Sequence, residues 1–140
     1  MIQLFNINNH IIDTSKYSHF LHDKGVISLE DTLKEYVGAK YACSINSATN
    51  AIFLSFLDKK VTVNIPSIIP PVVLNAVKTS GNKINFVDNV DWVGDSYLLH
   101  DFGDYKIIDS AQKLEKDQFK KECNPQDIMF FSFSPTKPLG

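Results

Sequence analysis

The sequence predicts an α/β fold: a mainly parallel sheet with helices on both faces. Two observations carry that expectation. Short apolar segments of strand length alternate with segments whose apolar residues recur at helical spacing, and such alternation is how parallel sheets are wound. Polar residues also gather at the ends of the strand segments, where open α/β sheets hold their ligands. A chain of 140 residues, 44% hydrophobic and 21% charged, can bury a core without disulfides or metal, so one compact domain is expected. The expected division is an N-terminal segment over residues 1–25 and a single domain over residues 26–140.

The elements follow in order. Ser28-Leu29-Glu30-Asp31 reads as a helix start, with Leu29, Leu33 and Val37 on one face and Gly38 as the stop. Tyr41 to Ile45 reads as a short strand. Asn46-Ser47-Ala48-Thr49 offers caps for a largely buried helix through Ala51, Ile52, Leu54, Phe56 and Leu57. Val61 to Ile65 is the next strand, broken by Pro66, and Pro70-Pro71 starts a helix running to Gly81. Lys83 to Val87, Tyr97 to His100 and Tyr105 to Ile108 are further strands, the last closed by Asp109. Lys113 to Glu122 is charged and weakly periodic, a solvated helix or a loop, and Ile128 to Phe133 is a strongly apolar strand.

Composition excludes several functions. The formal net charge is -2, and all 14 basic residues are Lys. Without Arg the chain lacks the planar fork that grips phosphate or guanine, and its lysines are dispersed among 16 acids, so nucleic acid is not an expected partner. No apolar run reaches the roughly 18 to 20 residues of a membrane span, and no secretory leader is visible, so no membrane association is expected and a cytoplasmic location is. Cys43 and Cys123 are isolated thiols with no sign of a disulfide framework.

The polar residues at strand ends are Ser47 and Thr49, Ser67, His100, Asp109 with Gln112, and Ser132 to Lys137. Lys137 follows a buried strand between two prolines, and taken alone it fits a solvated surface lysine as well as a chemical one. Three segments in order carry more: Asn46-Ser-Ala-Thr-Asn-Ala51, Ile108-Asp-Ser-Ala-Gln112 and Phe131-Ser-Phe-Ser-Pro-Thr-Lys-Pro-Leu-Gly140. With Ile65 to Val77 and Phe86-Val-Asp88 between them, they resemble the DegT/DnrJ/StrS-type sugar aminotransferases, which use pyridoxal 5'-phosphate. The likeness runs from about Val26 to Gly140.

That resemblance implies a fold like the large domain of fold-type I pyridoxal-phosphate enzymes. It also implies transfer of an amino group from an amino acid donor to a nucleotide-linked keto sugar. Lys137 would form the Schiff base; an amine with an ordinary pKa of about 10.4 is almost wholly charged at neutral pH, so its site must favour the neutral form. Asp109 would face the pyridine nitrogen, and Gln112 would bond the ring hydroxyl. Ser47, Ala48, Thr49, Ser132 and the backbone at the start of the following helix would hold the phosphate. Ala48 stands where the family usually has Gly, Ile69 or Pro70 where it has a stacking aromatic, and Ser134 where it often has His. The segment from Asp88 to Tyr105 is shorter than the family's, and the family continues well past the lysine. A homodimer or a partner chain is therefore expected, with self-association supplying only part of the site's wall.

Three rival readings come from other classes. Ser134-x-x-Lys137 has the spacing of a serine nucleophile assisted by lysine, but Pro138 stops the helix that motif requires. His19, His22 and Asp23, with His10 and Asp13 nearby, have metal-ligand types but no cysteine pair or second acidic cluster to complete a site, so no metal is expected. A truncated or decayed non-catalytic homologue, serving as scaffold or partner subunit, is the remaining alternative.

Overall fold

The computed structural model describes Asp13, Ser15, residues 23–90, residues 92–134, Thr136 and Lys137. The first helix, α1, covers Lys24–Val37. It begins four residues before Ser28, because Asp23 supplies the cap: its carboxylate accepts from the Lys24 N–H at 2.5 Å. Ser28 instead sits inside the helix, where its carbonyl accepts from the Thr32 hydroxyl at 2.7 Å. The stop is where the sequence places it, at Gly38, whose φ of 76° is left-handed.

The expected strand from Tyr41 to Ile45 is absent. The Ser44 N–H bonds the Glu30 carboxylate on α1 at 2.6 Å, so this backbone docks on a helix side chain and has no ladder partner. Helix α2, Ala48–Phe56, is capped by Ser47, whose side chain accepts from the Asn50 N–H at 3.2 Å. It buries Ile52 and Phe56, while Leu54 is 55% exposed.

A right-sized β-α-β unit comes next: β1 is Thr62–Pro66, α3 is Pro71–Thr79 and β2 is Lys83–Val87. The strands run parallel, from Thr62 opposite Lys83 to Pro66 opposite Val87. Pro66 thus ends β1 rather than interrupting it, and the Ser67 N–H carries the bonding on to the Val87 carbonyl at 2.9 Å. Buried Asn82 knots this unit to α2. Its amide donates to the Phe56 carbonyl at 2.7 Å and the Ser80 hydroxyl at 3.0 Å, and its oxygen accepts from the Val61 N–H at 3.0 Å.

The strands agree with a mainly parallel arrangement except in one pairing, and they lie in two sheets rather than one. Strands β3, Tyr97–Asp101, and β4, Lys106–Asp109, form an antiparallel pair, and only β5, Ile128–Phe130, lies parallel to β4. Parallel neighbours need a crossover of about a dozen residues or more, and residues 102–105 are too few. The strands form two sheets, the parallel pair β1-β2 and the mixed sheet β3-β4-β5. Between Lys113 and Glu122 the chain is a loop followed by the short helix α4, Gln118–Glu122. Gln118 is fully buried, donating to the Ser110 hydroxyl at 2.6 Å and accepting from the Glu115 N–H at 2.8 Å. Both sheets and α2 and α3 share one core, which includes Ile52, Phe56, Ile65, Val77, Leu99, Ile107 and Phe130.

Candidate functional site

A cavity of about 1000 Å³ opens where the start of α2 meets the carboxyl ends of β4 and β5. Each expected site residue lines it: Ser47, Ala48 and Thr49 from the start of α2, Asp109 and Gln112 from the end of β4, and Ser132 and Lys137 after β5. The topology explains the convergence. Parallel β4 and β5 end at the same side of the sheet, so residues 20 or more positions apart emerge together.

Two of the expected polar strand ends are not brought there. His100 packs edge-on against Phe102 at 4.5 Å and near Phe56 at 5.8 Å, because β3 runs antiparallel and its end points to the opposite side. Ser67 bonds Asp88 at 3.2 Å instead.

Ala48 occupies the first turn of α2 with no cost, since the non-glycine residues of positive φ among those described are Asp58, Lys60 and Asp117. The first N–H groups of α2 have no carbonyl partner in their own helix, and they give this end of the cavity a positive potential.

Asp109 is 6% exposed. Its Oδ1 accepts from the Ala111 N–H at 2.9 Å and its Oδ2 from the Tyr97 hydroxyl at 3.3 Å. Burial pushes this carboxyl above the usual range, while the Ala111 N–H, the Tyr97 hydroxyl and the positive charge of Lys137 work against that shift. Gln112 accepts from the Gly94 N–H at 3.0 Å, which ties the segment before β3 to the cavity wall. Lys137 is half-buried, and its N–H closes a turn on the Ser134 carbonyl at 2.8 Å.

The sequence reading missed Tyr97 and Trp92. Tyr97 stands directly opposite Asp109 in the antiparallel register, a pairing that recognition of the four-residue hairpin connection reveals. Trp92 lines the cavity together with Ile69 and Pro70, so an indole is present on a wall where the expected stacking aromatic is missing. His10, His19 and His22 lie outside the described residues, and Asp23 caps α1. Among the described residues no group of three or more His, Cys, Asp and Glu side chains gathers as a metal site. Cys43 is exposed, and the Cys123 thiol is pushed up to about 12 by burial and by Asp127 and Glu122.

Comparison with known families decides the kinship. The model of the DegT/DnrJ/EryC1/StrS aminotransferase family matches residues 5–94. The chain belongs to this family. The matched span includes Ser47, Ala48 and Thr49, whereas the assignment of Asp109, Gln112, Ser132 and Lys137 rests on motif and cavity.

Two family relatives are similar along part of their length, and both are named UDP-4-amino-4,6-dideoxy-N-acetyl-beta-L-altrosamine transaminase. The one from Campylobacter jejuni subsp. jejuni serotype O:23/36 (strain 81-176) is 27% identical over 155 residues, covering 83% of this chain and 41% of that protein. The one from Campylobacter jejuni subsp. jejuni serotype O:2 (strain ATCC 700819 / NCTC 11168) is 35% identical over 69 residues, 46% of this chain and 18% of that protein. The chain thus spans about two fifths of the length of the first relative. No solved structure matches it.

Proposed function

We propose that this chain binds pyridoxal 5'-phosphate and serves in transfer of an amino group from an amino acid donor to a nucleotide-linked keto sugar. The observation that carries the reading is the meeting of an amine, a buried carboxylate and a helix N-terminus on one cavity. That donor set fits the cofactor, which needs an attachment point, a partner for its ring nitrogen and a seat for its phosphate. When bound, pyridoxal phosphate supplies the electron sink on which transamination depends. Residues 26–140 act in this reading as the cofactor-binding domain, of the kind found in fold-type I enzymes.

The roles follow from position. Lys137 offers the amine for covalent attachment. Asp109 holds a proton at the ring nitrogen, and Gln112, with its oxygen engaged by Gly94, donates through its amide nitrogen to the ring oxygen. Thr49, Ser132 and the backbone N–H groups of Ala48 and its neighbours hold the phosphate, with Ser47 keeping the helix start in place. Two features support a completing homodimer or partner chain. The chain has no Arg to grip a donor carboxylate, and apolar side chains on the cavity wall, Tyr41, Ile45 and Val72, are exposed to 77%, 42% and 51%.

The deciding experiment is borohydride reduction of the protein loaded with pyridoxal phosphate, followed by peptide mapping. The expected result is a visible absorption band and a single label on Lys137. A label spread over surface lysines refutes the reading.

A further inference from the structure

We propose that Tyr97 is a positioning residue that fixes the Asp109 carboxylate in the orientation and charge state needed to meet a cationic ring nitrogen. This rests on the cofactor reading above. The hairpin β3-β4 sets Tyr97 directly across from Asp109, and both side chains line the cavity. The two carboxylate oxygens are held separately, Oδ1 by the Ala111 N–H in the turn after β4 and Oδ2 by the Tyr97 hydroxyl on β3, so donors from two places define the plane of the group. A carboxylate held on one side only can rotate about its terminal torsion.

The charge state needs the same support. Burial favours the neutral carboxyl, and a neutral carboxyl makes a poor partner for a pyridinium. The titratable groups bearing on Asp109 are Tyr97 from β3 and Lys137 from the segment after β5; the Ala111 N–H is the remaining contributor. Tyr97 keeps its own proton under ordinary conditions, since burial and the neighbouring carboxylate both raise its pKa, so it remains a donor.

The approach to β3 is itself anchored. The Gly94 N–H bonds Gln112 at 3.0 Å, Asp95 pairs with Lys113 at 2.7 Å, and the Ser96 hydroxyl bonds the Glu122 carboxylate. Lys113 also reaches Glu122 at 2.8 Å. Residues 94–96 are thus fastened one after another, Gly94 to Gln112 on the cavity wall and Asp95 and Ser96 to Lys113 and Glu122 behind it, and this keeps the phenol in register with Asp109.

The test is Tyr97→Phe, which removes one oxygen and keeps the ring's packing. With aspartate labelled at its carboxyl carbon, NMR follows the Asp109 titration in the chain without cofactor. The expected result is a higher midpoint in the variant, together with about tenfold weaker binding of pyridoxal phosphate, equivalent to about 1.4 kcal/mol. An unmoved midpoint overturns the proposal, because a merely structural tyrosine would change stability without changing Asp109. Should the variant not fold, Asp109→Asn with labelled tyrosine reads the pair from the other side. The Tyr97 ring-carbon shift next to the hydroxyl then differs from wild type at neutral pH, and an unchanged shift is the overturning result. Wild-type protein that binds no pyridoxal phosphate refutes the cofactor reading, while the titrations still decide the role of Tyr97.

Discussion

Asn82→Ala should be among the most damaging single substitutions outside the cavity. The side chain is 7% exposed and makes its bonds where three elements meet: the end of α2, the start of β1 and the turn after α3. Alanine removes the carboxamide, and with it one of the bonds to the Phe56 carbonyl and the side-chain bond of the Val61 N–H. The Phe56 carbonyl keeps the Lys59 N–H at 3.3 Å, so the group left unsatisfied is the Val61 N–H, at a cost of about 1 to 3 kcal/mol. For a chain of this size each kcal/mol lowers the melting temperature by roughly 3 to 4 °C, which places the expected drop between about 3 and 10 °C. Thermal unfolding followed by circular dichroism reads it directly. Asn85→Ala is the matched control, because its bond to Asn64 at 2.9 Å is exposed and its loss should cost no more than about 0.5 kcal/mol. A drop for Asn82→Ala no larger than the control's would mean that the knot is satisfied by water and that the account is wrong.

Asp109→Asn should separate stability from binding. The folded carboxyl titrates above its unfolded value, so its contribution favours folding at low pH and is lost as pH rises through the folded pKa. At neutral pH the Asn variant is therefore expected to unfold at a temperature equal to or above wild type while binding pyridoxal phosphate more weakly; a variant that is clearly less stable at neutral pH contradicts the sign. Ser47→Ala removes the cap of α2 and should cost about 1 kcal/mol in stability, whereas Ser47→Asp should restore the cap yet weaken phosphate binding by repulsion, as measured by denaturant unfolding and by cofactor titration.

Much of this protein is written locally. Gly38 stops α1, Ser47 caps α2 and Pro71 opens α3 because each signal depends only on a few neighbouring dihedrals and one or two hydrogen bonds. The three segments around Ser47, Asp109 and Lys137 were legible only through their resemblance, in order, to the segments of a known family. The antiparallel pairing of β3 and β4 was not read, although the four residues between them are too few for a parallel crossover.

What only the tertiary structure decided concerns partners distant in sequence. Nothing near Tyr41 to Ile45 reveals that Glu30 on α1 takes the Ser44 N–H, so a segment of strand-like composition finds no ladder. Nothing near Ser28 shows that Asp23 outcompetes it as cap, and nothing near Asn82 shows that its amide closes three elements at once. The same holds in the cavity. Tyr97 becomes the neighbour of Asp109, and His100 is turned away, because of one strand direction. Residue type sets what a side chain can do, but hydrogen-bond geometry is satisfied within a few ångströms, and which groups come that close is fixed only when the sheets and helices pack.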